Sequence, residues 1–302
     1  MPQHDHILSF TPQSDALLLE FLLKAMPERS RTNVKQFLAH EQVAVNGKAT
    51  RQFDTPVGPA DKVEVNLTRA FTTFQHRRLD LIYEDADILV INKGYGLLSV
   101  AAGTPAKHGD RQKKAPETAY SILRDYLKSE NPANKIFVVH RLDRDTSGLM
   151  MFAKSVEAKE AMQHNWNNMV LRRTYVAVVN GIIEEDEGTI RSFLRENAEH
   201  EMYSSSKPVE GAKEAITRWK VLRRGKGRTL VEVELDTGRK NQIRVHLKDL
   251  GHPIVGDRRY GGGVSPAHRL CLHARTLRFA HPVTRTLKDF ETPVPPAFMK
   301  LV

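Results

Sequence analysis

Apolar residues fall at helical spacing twice near the start of the 302-residue chain. Leu17, Leu18, Phe21 and Leu22 form one stripe, and Asp15 is placed to cap the helix carrying it. A second short helix is expected from about Thr32, with Val34, Phe37 and Leu38 turned inward. Val43-Ala44-Val45 then runs into Asn46-Gly47, a tight-turn pair, and Val63-Glu64-Val65 alternates as a closing strand. Residues 12–67 therefore read as a small helix-and-strand module, 68–79 as a linker and 80–302 as the main domain.

Strands and helices interleave after the linker. Buried strands are expected at Asp87–Asn92 and Ile136–His140, and further strands at Leu149–Ala153 and Thr174–Val179 around a helix at Val156–Met169. Ala215–Leu222 and Thr229–Leu235 read as a hairpin, Asn241–Leu250 as a helix, and Ala274–Phe279 and Thr286–Phe290 as closing strands. Paired strands mixed with helices, without strict βαβ alternation, predict an α+β fold with much antiparallel pairing. Residues 101–115 have no apolar period and read as a loop. Its Lys107, Arg111, Lys113 and Lys114 suit a phosphate-facing arm or a plain solvated loop.

Charge narrows the choice of partner. The chain has 46 Lys and Arg against 36 Asp and Glu, a net charge of +10. Such a field fits a polyanionic partner and equally a merely basic enzyme. Residues 1–70 hold eight basic and eight acidic side chains, so the whole excess lies in residues 71–302. Cys271 is the single cysteine, which excludes internal disulfides and cysteine-based zinc sites and fits a reducing compartment. No apolar run approaches the ~20 residues of a membrane helix, and MPQHDHILSF lacks the pattern of a secretory signal. A soluble, cytoplasmic protein with no membrane association is expected.

Several chemistries find no motif. There is no Gly-x-x-x-x-Gly-Lys-Ser/Thr phosphate loop and no Gly-x-Gly-x-x-Gly after an expected strand. His40-Glu41 and His200-Glu201 lack the second histidine of a metalloprotease helix, so no metal ligand is assigned. Two clusters remain. His140-Arg141-Leu142-Asp143-Arg144-Asp145-Thr146-Ser147-Gly148 lies between two apolar segments. Turn chemistry accounts for its Thr-Ser-Gly end but poorly for two arginines and two aspartates in five residues. A carboxylate among cations at a strand end stays ionised, as a nucleophile or general base requires. In the second cluster, Asp236 to Leu247, Lys240, Arg244 and Lys248 recur every four residues as one cationic row. The row is either a solvated face or a cleft wall in which Arg244 meets a carboxylate while Arg239 and Lys240 hold phosphates.

Together these segments resemble the RluA-type family of RNA pseudouridine synthases. HRLDRDTSGLMMFAKS at 140–155 resembles the family's catalytic-aspartate motif, and Thr174-Tyr175-Val176-Ala177-Val178 with Gly181 its tyrosine-bearing strand. Gly238–Leu247, continuing through Gly251–Asp257 to Tyr260-Gly261, is similar to its third motif, and Leu272–Thr284 to its ending. The resemblance implies a large mixed, mainly antiparallel sheet with flanking helices and a central cleft. It also implies an S4-like RNA-binding module at 12–67. By residue, it makes Asp143 the essential carboxylate, Tyr175 the ring that stacks on uracil, Arg244 the partner of Asp143, and Arg141 a residue that displaces the target base. Asp145 falls where the family varies and is read as a turn residue. The implied reaction is isomerisation of uridine to pseudouridine in structured RNA without a cofactor, by a monomer. Ribosomal RNA is the expected substrate and transfer RNA the alternative, with a non-catalytic RNA-binding or ribosome-assembly factor as the other class. Arg29, Arg31 and Lys35 are candidates for the RNA-facing edge of the small module. The chain departs from the family at Gly94, where proline is usual, at Val100-Ala101, in place of a common His-Pro, and at Asn241, where a histidine normally precedes Gln242.

Overall fold

A computed structural model describes residues 7–68, 71, 74, 76–101 and 116–302, in two compact units, Met1–Phe74 and Gln75–Val302. The basic arm expected within 101–115 lies, from residue 102, outside the described residues.

The first unit comprises β1 (Ile7–Phe10), β2 (Ala16–Leu17), α1 (Leu18–Ala25), α2 (Arg31–Ala39), β3 (Val43–Val45), β4 (Lys48–Ala49), β5 (Pro56–Val57) and β6 (Val63–Asn66). Four strands form one antiparallel sheet in the order β1-β6-β3-β4. The sheet therefore takes in Ile7–Phe10, upstream of the expected module. Asn46 and Gly47 take φ of 52° and 77°, the left-handed pair that a two-residue turn between β3 and β4 demands. Leu18, Leu22, Val34, Leu38, Val43, Val63 and Val65 make the core. Asp15 does not cap α1. Leu17 is the N-cap residue, and the N–H groups of Leu18 and Leu19 instead donate to the Thr55 and Phe53 carbonyls, both at 2.9 Å. Backbone carbonyls of the returning chain thus satisfy what a side chain was expected to satisfy.

The second unit begins with β7 (Leu79–Glu84), β8 (Ile88–Lys93), α3 (Ala119–Glu130), β9 (Phe137–Val138), β10 (Ser147–Ala153), α4 (Val156–Met169) and β11 (Val170–Asn180). It continues with β12 (Glu187–Glu196), β13 (Met202–Ser205), β14 (Lys213–Arg224), β15 (Arg228–Leu235), α5 (Gln242–Asp249), β16 (Leu272–Ala280), β17 (Leu287–Glu291) and α6 (Pro296–Met299). Eleven strands join in one sheet, along the path β13-β12-β14-β15-β11-β16-β10-β8-β7, with β9 added at β10 and β17 at β16. Every pairing between these strands is antiparallel except β10 with β16. This is the α+β architecture expected.

All seven residues of β10 are buried, which explains its nearly unbroken apolar run. Leu149, Met151 and Ala153 share a core with Ile88 and Val90 of β8, Ala158 and Met162 of α4, and Leu277 and Phe279 of β16. Gly148 lies hard against β16. Its φ is +114°, and a Cβ there would lie 2.1 Å from the Ala274 carbonyl oxygen. Ser147 and Gly148 of the first motif therefore open the strand that pairs with β16, while Thr146 stays in the connection before it.

The strand expected over Ile136–His140 shrinks to Phe137 and Val138, paired with Ala153 and Phe152. His140 ends it: its ring Nε2 accepts the Met151 N–H at 2.9 Å, so a side chain replaces the next backbone rung. β12 and β13 are additional to the expected strands. β12 buries only Ser192 and Leu194 fully, too little to leave an apolar pattern in the sequence.

Candidate active site

The segment between β9 and β10 carries Arg141 to Asp145, and three anchors hold it. Ser99 Oγ donates to the Leu142 carbonyl at 2.6 Å and accepts the Leu142 N–H at 3.2 Å. The Thr146 N–H donates to the Asp143 carbonyl at 3.2 Å. Lys93, at the end of β8 and 0 % exposed, donates to the carbonyls of Gly94, Leu97 and Arg144 at 3.0, 2.8 and 3.1 Å. Burial pulls its pKa down to about 7, with Asp145 and Asp143 acting the other way. One buried ammonium thus ties the 94–97 turn to the Asp143 segment. At Gly94 the departure from proline has a use: the Gly94 N–H, which proline lacks, donates to the Arg78 carbonyl at 2.7 Å.

Asp143 opens onto a cavity of about 380 Å³. Arg141, Tyr175, Arg239, Lys240 and Arg244 also line it. Tyr175 comes from β11, where the pairing with β16 slips between Thr174 and Tyr175. Burial pushes the phenol's pKa up, with Arg173 opposing and Asp143 reinforcing. The phenol therefore stays protonated at neutral pH.

Arg244 departs from its expected geometry. Its principal partner is Asp257, not Asp143. Nε and Nη2 each donate to an Asp257 carboxylate oxygen at 2.7 Å, and Asp257 is 1 % exposed. Nη1 donates to Asn241 Oδ1 at 3.1 Å and lies 3.9 Å from Asp143 Oδ2. The guanidinium also sits over the Tyr260 ring, 4.8 Å from its centroid. Burial works against its charge, but the Asp257 hydrogen bonds and charge outweigh it and raise the Arg244 pKa. A forked pair of this kind fixes the guanidinium's plane and direction. Asp257 and Asn241 thus aim Arg244 so that its Nη1 comes within 3.9 Å of Asp143.

The turn before α5 explains Asn241. Its φ of 54° is left-handed, a conformation asparagine tolerates better than most residues. Its side chain links Arg244 to the Tyr260 hydroxyl, to which Nδ2 donates at 3.0 Å. Gln242 fixes the same turn: its Oε1 accepts from Thr237 Oγ1 at 2.8 Å and from the Arg239 N–H at 3.0 Å. Its amide group donates to the Ile216 carbonyl and to Thr217 Oγ1, both at 2.9 Å. Lys240, Arg244 and Lys248 accordingly form no single row. Lys240 precedes the helix, Arg244 turns into the cleft, and Lys248 is exposed.

The sequence-predicted residues divide clearly. Asp143, Tyr175, Arg244, Arg141, Arg239 and Lys240 surround one cavity. Arg141 is exposed and has no side-chain partner among the described residues. Arg239 Nε donates to the Glu214 carbonyl at 2.9 Å, and Lys240 Nζ donates to Glu196 at 2.5 Å. Arg29, Arg31 and Lys35 belong to the first unit. Arg31 and Lys35 are exposed on α2, and Arg29 lies 3.7 Å from Glu28. Sequence reasoning assigned no role to Asp257, Tyr260, Lys93 or Ser99. Asp257 had a visible signal, a lone carboxylate one glycine beyond the apolar Pro253-Ile254-Val255. Among the described residues, Asp85, Asp87 and His281 also cluster. The Asp85 oxygens there already accept from Tyr83 Oη, from His281, and from the Asp87 and Ile88 N–H groups.

A large mixed sheet thus bears a cation-lined cavity around one carboxylate and a buried tyrosine. The family model described as RNA pseudouridylate synthase matches residues 87–249. The chain is 34% identical over 287 residues to the uncharacterized RNA pseudouridine synthase YlyB of Bacillus subtilis, covering 94% of this chain and 92% of that one. It is 30% identical over 299 residues to the ribosomal large subunit pseudouridine synthase D of Escherichia coli K12, covering 93% and 88%. Among solved structures, human RNA pseudouridylate synthase domain containing 1 aligns with a TM-score of 0.55 and 28% identity, over 71% of this chain and 83% of that one. The chain belongs to the RluA-type RNA pseudouridine synthases. Its activity is the isomerisation of uridine to pseudouridine in RNA.

Proposed function

We propose that this enzyme isomerises particular uridines in ribosomal RNA, with Asp143 as the essential carboxylate. The observation that carries the reading is the meeting of Asp143 and Arg244 at 3.9 Å in a cavity that Tyr175 also lines. The reaction breaks the N1–C1′ bond of uridine and forms a C5–C1′ bond. The C5 proton is lost and N1 gains one, so atoms and electrons balance without a redox partner or group donor. Asp143 acts at the ribose–uracil junction, beside the guanidinium edge that Asp257 aims at it. Tyr175 stacks on the uracil, and its protonated phenol is kept neutral by burial. Extruding the base from its stack costs on the order of a few kcal/mol. Stacking on Tyr175 and phosphate contacts from Arg141, Arg239 and Lys240 offset that cost.

Ribosomal RNA is favoured over transfer RNA by the similarity to a ribosomal large subunit pseudouridine synthase. The first unit is read as an S4-like module that holds RNA along Arg29, Arg31 and Lys35, and the protein as a cytoplasmic monomer. No helix among the described residues is long and apolar enough to cross a membrane. Tritium release from RNA labelled with [5-³H]uridine tests the reading. The wild type should release tritium from ribosomal RNA, and Asp143→Asn should release none. Release from transfer RNA alone would overturn the substrate assignment, and full activity of Asp143→Asn would overturn the role of the carboxylate.

A further inference from the structure

A second cavity, of about 690 Å³, lies on the other side of the Asp143 segment and shares Arg244 with the first. Arg144 and Asp145 face it, together with Tyr95, Arg258, His268 and Arg269. An RNA strand that presents one nucleotide to Asp143 must run on past this segment, and this cavity borders the site at Arg244.

Its lining sorts into groups that are engaged and groups that are not. Arg269 is engaged: it donates to Ser147 Oγ and to the Leu270 and Leu272 carbonyls. Its guanidinium lies over two rings, 4.6 Å from the centroid of Tyr95 and 5.1 Å from that of Phe298. Arg269 therefore holds one face of Tyr95. Tyr95 is nonetheless 49 % exposed and lines the cavity. The turn that presents it is rigidly built, because buried Lys93 bonds the carbonyls of Gly94 and Leu97 on either side of Tyr95. By contrast, Arg258 and His268 are exposed and have no side-chain partner among the described residues. Arg144 meets only its exposed neighbour Asp145, at 3.2 Å, a contact of little worth in water. A rigid aromatic face bordered by unengaged cations is the arrangement that holds single-stranded nucleic acid, base on ring and phosphate on charge.

We propose that this cavity is a subsite for the nucleotide adjoining the target uridine. Its base stacks on the exposed ring of Tyr95, and its phosphate meets Arg258 and Arg144. The proposal rests on the enzyme acting on RNA and adds a specificity-determining position to it. Tyr95 neighbours Gly94, itself a departure from the family pattern, so the subsite bears on which RNA this chain selects.

The test is steady-state tritium release from [5-³H]uridine-labelled total RNA of cells lacking the gene, with circular dichroism as the check on folding. Tyr95→Ala should raise KM at least about 5-fold, the weak end of base–aromatic stacking, with the effect falling on KM rather than kcat. Tyr95→Trp, which restores an aromatic face, should recover most of that loss. Arg258→Ala should lower the slope of log KM against log salt by about one, as expected for one lost phosphate contact. Folded Tyr95→Ala and Arg258→Ala proteins with wild-type KM and salt slope would overturn the subsite while leaving the enzyme reading intact. So would a Tyr95→Ala loss confined to kcat, which would make Tyr95 a support of the Asp143 segment instead. A folded wild type that releases no tritium from any RNA would overturn the enzyme reading and the subsite with it.

Discussion

Arg244 is held by Asp257 through two hydrogen bonds of 2.7 Å, and only then does its Nη1 reach to 3.9 Å from Asp143. The geometry places the buried carboxylate to act on Asp143 through the guanidinium.

Replacing Asp257 should therefore damage both stability and catalysis. Removing one partner of a buried pair strands the other charge, at a cost of about 3–5 kcal/mol. Asp257→Ala should show that loss in urea denaturation. Asp257→Asn keeps the shape and one acceptor, and should fold with a smaller loss while kcat still falls sharply. If Asp257→Asn retains wild-type kcat, the aim of Arg244 does not depend on the forked pair.

Lys93 gives a prediction in the alkaline range. Its folded pKa is about 7, against 10.5 for an ordinary lysine. Between those values the unfolded chain binds a proton that the folded chain does not, so stability rises as pH increases from about 7 to about 10.5. Below about 7 both states are protonated and the penalty is constant. Lys93→Met removes this titration, so the difference in unfolding free energy between wild type and variant should change across that window. The variant also strands the carbonyls of Gly94, Leu97 and Arg144, costing about 1–3 kcal/mol and loosening the Asp143 segment. A pH-independent difference would show that Lys93 does not titrate as its burial implies.

Two buried histidines contribute on the acid side. His246 bridges Ser192 and Thr217, His273 bridges Ser147 and Thr292, and desolvation lowers both pKa values from 6.5 to about 4. Each favours folding above pH 6.5, and that contribution is lost as pH falls through the interval down to about 4. The urea midpoint should decline over this range, and His246→Gln should flatten the decline. An unchanged slope in a folded His246→Gln protein would assign the acid sensitivity elsewhere.

Gly94 is a direct test of the departure from the family pattern. A Cβ at this position would lie 2.8 Å from the Arg78 carbonyl oxygen, and proline would also remove the N–H that donates to it. Gly94→Pro should therefore lower the melting temperature despite bringing the chain nearer its relatives. A neutral or stabilising effect would mean that the Arg78 contact is dispensable.

What the sequence disclosed follows a physical divide. Elements with a strong period were legible: α4 occupies Val156–Met169 as expected, and the wholly buried β10 shows as an apolar run. β12 was not, because a strand with two fully buried residues carries little pattern. Tertiary contacts overrode local signals at Asp15, where backbone carbonyls of residues 53 and 55 replaced the cap, and at His140, where a side chain replaced a strand rung. At the site, chain order put Asp143, Tyr175 and Arg244 in recognisable motifs, but pairing is a property of space. Spacing could not reveal that Arg244 answers first to Asp257, thirteen residues on, or that Lys93 reaches Arg144 from another strand.

Mapping pseudouridines in ribosomal and transfer RNA tests the central claim most directly. It would compare cells lacking the gene with the same cells carrying either the wild type or Asp143→Asn at matched protein levels. One or more ribosomal RNA sites should lose pseudouridine on deletion, regain it with the wild type and stay unmodified with Asp143→Asn. Restoration of those sites by Asp143→Asn would contradict the account.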